Sequence, residues 1–174
     1  MNKNVSLVFF TLITSSISAS NVFAEGIQEG ATAVGINGSL TRMSVGTEDT
    51  DMLILGVNFS KYFTKNHEVG IQTVGFRVDS GDNGSSFVFF DGTYNYNLTS
   101  TSNVVPYFGG AGGLLYSSGN GETETYPQLG VQAGIKSFLS DDVYINTELR
   151  YRHTIAGESD LDQLSINIGL NLIF

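Results

Sequence analysis

The twelve residues Gln163 to Phe174 constrain this chain more than any other stretch. Leu164, Ile166, Ile168, Leu170, Leu172 and Phe174 share one parity, and Gln163, Ser165, Asn167, Gly169 and Asn171 share the other; Ile173 alone breaks the polar set. Successive side chains of a strand point to opposite faces, so the pattern predicts a strand with one continuous apolar face. Globular strands usually run about 5–6 residues, whereas a tilted strand crossing a bilayer needs about 9–11. An apolar face this long, ending on an aromatic, suits lipid.

A sheet edge cannot be left unpaired in hydrocarbon, so the rest of the chain must supply strands that close the sheet. Seven earlier runs do so: 31–42, 52–63, 68–78, 86–98, 104–116, 128–138 and 143–154. In the second, Leu53, Leu55, Val57, Phe59 and Phe63 alternate with Gly56, Asn58 and Ser60. In the seventh, Ile145, Thr147, Leu149 and Tyr151 alternate with Asn146, Glu148, Arg150 and Arg152. The third changes parity between Ile71 and Val74, which predicts a bulge near Thr73. The glycine-rich fifth, Tyr107 to Gly113, leaves its facing open. The fold expected for residues 25–174 is an all-β, eight-stranded antiparallel up-and-down transmembrane β-barrel, apolar outside and hydrophilic within.

Residues 1–24 are set apart. Lys3, the apolar run Val5 to Ile13 and the small-residue pattern Val22-Phe23-Ala24 predict a removable secretory signal. Residues 25–30 are expected to be a tail too short to plug the barrel. The remaining chain holds no run of about 18 apolar residues, so no membrane-spanning helix is predicted. There is no cysteine, which excludes thiol chemistry and disulfide staples. A net charge of −9 argues against nucleic acid as a partner.

The connections alternate in kind. Residues 64–67, 99–103 and 140–142 predict tight turns; 43–51, 79–85, 117–125 and 155–162 predict longer loops. Short periplasmic turns opposite longer external loops are the outer-membrane arrangement, and an even strand number places both termini in the periplasm. The four longer segments carry ten acidic residues and no Lys or Arg. Phe63, Tyr96, Tyr107, Phe138, Tyr144 and Phe174 at one end, with Phe87, Tyr116 and Tyr126 at the other, are expected to form interfacial girdles.

The eight runs, the signal and the terminal Phe174 resemble the small eight-stranded outer-membrane barrels of the OmpA transmembrane, OmpX and opacity-protein type. The segments Val105-Pro106-Tyr107-Phe108-Gly109-Gly110-Ala111-Gly112, Gly134 to Asp142 and Glu148-Leu149-Arg150-Tyr151 carry that resemblance. It implies a bacterial outer-membrane location and, for Phe174, recognition by the barrel-assembly machinery. It implies lipid and lipopolysaccharide as surroundings, and an envelope-structural or adhesin-like role towards host or cell surfaces.

Asp91, Lys136, Glu148, Arg150 and Arg152 fall on inward parities. Eight strands leave a bore that side chains can fill, and buried charges there need partners. A structural network is therefore expected before an ion path. The stretch around His153 resembles that of the lipid A deacylases of the PagL type, which are also eight-stranded and carry a catalytic histidine there. Their serine and asparagine positions are here Ile155 and Ala156, and the adjacent Thr154 points to the other face, so no enzyme is expected. His67 is expected in a solvated turn. Asp79-Ser80-Gly81-Asp82-Asn83-Gly84 lacks a complete calcium loop, so no metal or other cofactor is expected.

Overall fold

A computed structural model describes residues 27–45, 48–80, 83–98, 103–119, 122–156 and 160–174; the expected signal segment lies outside them. Eight strands follow one another: β1 (Thr32–Val45), β2 (Glu48–Tyr62), β3 (His67–Ser80), β4 (Asn83–Asn97), β5 (Val104–Gly119), β6 (Glu122–Ser140), β7 (Val143–Thr154) and β8 (Leu161–Ile173). Each pairs antiparallel with the next, and β8 returns to β1, so the sheet closes into a barrel. The alternation of β8 is carried through without a break: every odd residue from Leu161 to Ile173 is buried and every even one exposed.

The strands run further than the sequence pattern indicates at the end of the barrel away from Thr32 and Ile173. β1 reaches Val45 and β2 restarts at Glu48; β3 reaches Ser80 and β4 restarts at Asn83; β5 reaches Gly119 and β6 restarts at Glu122. Among the described residues, three of the four expected loops are therefore mostly strand, and the β7–β8 connection stays outside the strands at residues 155, 156 and 160. The reason is packing inside the extension. Met43, Ile54, Val74, Phe89, Leu115 and Leu161 form a buried cluster, with Met52, Phe76, Phe87 and Tyr126 packed against it. That cluster gives the ladders an apolar core where polar loops were expected.

The same cluster corrects three further expectations. No bulge occurs near Thr73, because the β3–β4 register runs unbroken from His67↔Tyr96 to Ser80↔Asn83. Val74 and Phe76 simply face inward. The bore is accordingly not hydrophilic throughout. Phe87 and Tyr126 line the interior and belong to no outer girdle. At the end that carries Thr32 and Ile173, Tyr107, Phe138 and Tyr144 are buried inside as well, while Phe63, Tyr96, Tyr116 and Phe174 follow the outward parity.

The short tail does contribute to closure. Ile27 is buried with Ala33, Tyr62, Val105, Phe138, Tyr144 and Ile173. Gly30, at φ 85°, turns the chain so that its N–H donates to the Tyr62 carbonyl at 2.7 Å. A side chain would strain that conformation. The facing of β5 is also settled: Tyr107, Gly109, Ala111, Gly113 and Leu115 point in. A Cβ on Gly109 or Gly113 would lie 2.0 Å from the Tyr94 or Phe90 carbonyl oxygen, so these glycines let β5 lie close to β4.

Candidate functional site: the charged layer inside the barrel

The interior has three layers. An apolar base and an apolar upper cluster enclose a polar middle, built from the inward positions of β3, β4, β6, β7 and β8. Asp91, Lys136, Glu148, Arg150 and Arg152 all lie in this middle layer and are buried, together with Glu68, which the sequence reading did not single out. Its parity gives it away: it precedes outward Val69 on β3.

The six charges cancel in sign and are joined into two groups. In the lower group Lys136 Nζ pairs with Glu68, donates to Tyr62 Oη at 2.9 Å and donates to Asn97 Oδ1 at 2.8 Å. The ammonium also lies 4.7 and 5.0 Å from the ring centroids of Tyr62 and Tyr107. Ring faces and three oxygens replace the water that this cation loses on burial.

In the upper group Glu148 pairs with Arg150 at 2.8 Å, and Asp91 pairs with Arg152 at 2.6 Å and with Arg150 at 3.6 Å. Tyr107 Oη donates to Glu148 at 2.9 Å, and Asn167 donates to its other oxygen at 3.0 Å. Gln128 donates to Asp91, and Arg150 donates to Gln72. Arg152 donates to Gln163 and lies 5.5 Å over the Phe89 ring, where the charged layer meets the upper apolar cluster.

Such an arrangement holds strands β3, β4, β6, β7 and β8 in register from within. Breaking one member leaves a buried charge exposed to its neighbours, which is costly. Asn37 Oδ1, Ser60 Oγ, Gln132 Oε1 and Arg150 Nε have no protein partner, and their residues border a chamber of about 50 Å³. That is room for a few waters. The chamber lies between the two apolar layers.

The histidines lie on the outer surface. His153 Nδ1 is 2.9 Å from Asp162 Oδ1 and its Nε2 is 3.7 Å from Asp160; Tyr151 Oη donates to the same Asp162 oxygen at 2.7 Å. Thr154 is buried on the opposite face. His67, though exposed, shares a 2.7 Å hydrogen bond with Tyr94 Oη. Of the run 79–84 weighed for calcium, residues 81 and 82 lie outside the described ones. Phe174 is exposed, and its backbone exchanges two hydrogen bonds with Thr32 at 2.9 Å.

No protein-family model matches the chain, and no curated protein matches it by sequence. Solved structures do. Neisserial surface protein A aligns over 81% of this chain and 98% of its own, with TM-score 0.67 and 16% identity. OprG from Pseudomonas aeruginosa aligns over 84% and 97%, with TM-score 0.59 and 13% identity. Ail, the attachment invasion locus protein of Yersinia pestis, aligns over 84% and 100%, with TM-score 0.58 and 15% identity. The closed eight-strand barrel, its inward charges and these likenesses together establish that the chain has the fold of the small eight-stranded outer-membrane barrels.

Proposed function

We propose that the protein is an integral barrel of a bacterial outer membrane whose work is done at its external rim, in an envelope-structural or surface-interaction role. Residues 1–24 serve as the export signal, residues 25–174 form the barrel, both termini face the periplasm, and Phe174 is read during insertion. The observation that carries this reading is the contrast between wall and bore. The wall is apolar, with Leu53, Leu55, Ile36 and Leu129 each at least 65% exposed, as lipid contact requires. The bore is filled by paired charges and capped by apolar clusters, which opposes a diffusion pore.

What remains available to partners is the rim. Its strand extensions and hairpins carry Glu48, Asp49, Asp51, Asp79, Glu122, Glu124, Asp160 and Asp162. Ail has been solved in complex with the heparin analogue sucrose octasulfate. A rim this acidic repels a polysulfated ligand, so the partner suited to this chain is cationic or bridged by divalent cations, as lipopolysaccharide phosphates are. The reading includes no acyl transfer: His153 is held between two carboxylates, and Thr154 faces away from it.

The test is adhesion of cells producing the full chain or a variant with all four external hairpins shortened. Trimming is expected to abolish binding while the barrel still inserts. Equal binding by both would overturn the rim as the functional surface.

A further inference from the structure

Few cations remain outside the interior network. Lys136, Arg150 and Arg152 are spent in the charged layer. At the end of the barrel that carries Thr32 and Ile173, the exposed Lys and Arg among the described residues are Lys61 and Lys65, both on the β2–β3 hairpin. The carboxylates exposed at this end are Glu29 on the tail and Asp141 and Asp142 on the β6–β7 turn, on the far side of the barrel.

The hairpin is fixed in place. Thr64 Oγ1 accepts from the N–H groups of Asn66 and His67 at 3.2 and 3.1 Å. Asn66 Nδ2 donates to the Asn97 carbonyl on β4 at 2.7 Å. His67, exposed on the outer face, shares its 2.7 Å hydrogen bond with Tyr94 Oη and meets the Tyr96 ring edge-on at 5.3 Å. Lys61 also faces outward, in the row Lys61, Val69, Tyr94, Gly110. The two lysines and the imidazole thus stand together where the apolar wall begins.

The wall directly beyond them is indented. The next row runs Ile71, Gly92, Gly112, Leu129. Gly92, Gly110 and Gly112 floor a groove of about 600 Å³ that also borders Val69, Tyr94 and Leu129. Tyr94 belongs to both features: it borders the groove, and its hydroxyl holds His67. Packing does not require these glycines. A Cβ on Gly92, Gly110 or Gly112 would meet its closest neighbour at 3.6, 3.5 or 3.5 Å, an ordinary contact, unlike the 2.0 Å clashes at Gly109 and Gly113. Glycine weakens a strand, and it marks either a bend or the close approach of something else. The β4–β5 and β5–β6 registers run unbroken here. The bare floor therefore fits another molecule lying against it.

We propose that this face is a site for an anionic glycerophospholipid, its phosphate held among Lys61, Lys65 and His67 and one acyl chain laid along the groove floored by Gly92 and Gly112. In a bilayer every wall residue meets acyl chains, so the groove alone selects nothing. It fixes one chain beneath a headgroup that the lysines select, and their long stems let the ammonium groups reach the phosphate level. The inference rests on the outer-membrane reading above, which places this end at the periplasmic leaflet, and its test separates the two.

The chain contains no tryptophan. The full chain carrying Ile71→Trp, beside the groove, and separately Ile166→Trp, on β8 and away from it, is reconstituted into phosphatidylcholine vesicles holding a minor fraction of phosphatidylglycerol with brominated acyl chains. Quenching is normalised to vesicles of wholly brominated lipid. At Ile71→Trp it should report phosphatidylglycerol enriched about tenfold over its bulk fraction, and at Ile166→Trp the bulk fraction. Quenching no stronger at Ile71→Trp than at Ile166→Trp keeps the membrane reading and overturns the site; quenching of neither overturns both.

In the Ile71→Trp background, Lys61→Gln should lower the enrichment about fivefold, and Lys61→Gln with Lys65→Gln should bring it to the bulk level. Gly112→Leu, which fills the groove, should lower it with both lysines intact. Gel mobility of the unheated barrel confirms that each variant is folded. Unchanged enrichment in the double lysine variant or in folded Gly112→Leu would overturn the proposal. So would brominated phosphatidylcholine enriched as strongly as phosphatidylglycerol. Lipopolysaccharide that displaces phosphatidylglycerol at equal phosphate would assign the face to the opposite leaflet and overturn it as well.

Discussion

Asp91 is the member of the interior network whose loss is easiest to reckon. It is 1% exposed, pairs with Arg152 at 2.6 Å and with Arg150 at 3.6 Å, and accepts from Gln128. Replacing it by Ala removes one of three carboxylates that balance three cations, and leaves two guanidiniums 5% exposed or less with one fewer counter-charge. Breaking a buried pair by deleting one partner costs about 3–5 kcal/mol. With a urea slope of about 2 kcal/mol per molar, the unfolding midpoint should fall by about 1.5–2.5 M. The assay is reversible urea unfolding in lipid vesicles, followed by the mobility difference between folded and unfolded barrel on unheated gels.

The double variant Asp91→Ala with Arg152→Met should recover much of the loss, since an apolar pair of similar volume often substitutes for a buried ion pair. Cation–ring contact with Phe89 becomes thioether–ring contact at the same place. A cost below about 1 kcal/mol for Asp91→Ala, within the range of an exposed pair, would refute the claim that these charges are dry and mutually dependent. So would a double variant as unstable as the sum of its parts.

Further outcomes follow from the same structure. Phe89→Ala empties the centre of the upper cluster and should cost about 3–5 kcal/mol by the same urea assay; wild-type protein in planar bilayers should show no steady conductance. Gly113→Ala should destabilise by about 1–3 kcal/mol because its Cβ meets the Phe90 carbonyl at 2.0 Å. Outward Gly112→Ala, whose closest neighbour is 3.5 Å away, should change stability by under about 0.5 kcal/mol. Lipid A from cells expressing the protein should carry its full set of acyl chains, and mass spectrometry showing a chain lost only with intact His153 would contradict the non-catalytic reading of the outer rim.

Alternation made the wall of the barrel legible in the sequence, because its outward face is apolar at nearly every position. The interior was less legible because it accepts both kinds of residue. Glu148, Arg150 and Arg152 announced themselves as polar residues on an alternating strand. Val74 and Phe76 did not, since an apolar residue facing an apolar internal cluster reads like one facing lipid. The resulting parity change looked like a bulge. Tyr107, Phe138 and Tyr144 sit near strand ends, where a ring suits either a headgroup boundary or an internal plug, and only the register decides between them. The strand extensions were hidden for another reason. Acidic residues near a hairpin suggest loops, whereas here they ride on ladders held together by Met43, Leu115 and Tyr126 inside. That the β2–β3 ladder ends at Leu55↔Gly75 depends on how two strands meet, which neither strand's own pattern records.

The account stands on an outer wall that meets lipid and an interior that does not. Single spin labels placed in turn along residues 161–174 in a lipid bilayer test it directly. Oxygen accessibility should peak at Leu164, Ile166, Ile168, Leu170 and Leu172 and fall at Gln163, Ser165, Asn167 and Asn171. A flat profile, or one in which water-soluble relaxant reaches Ile168 more readily than oxygen does, would contradict it.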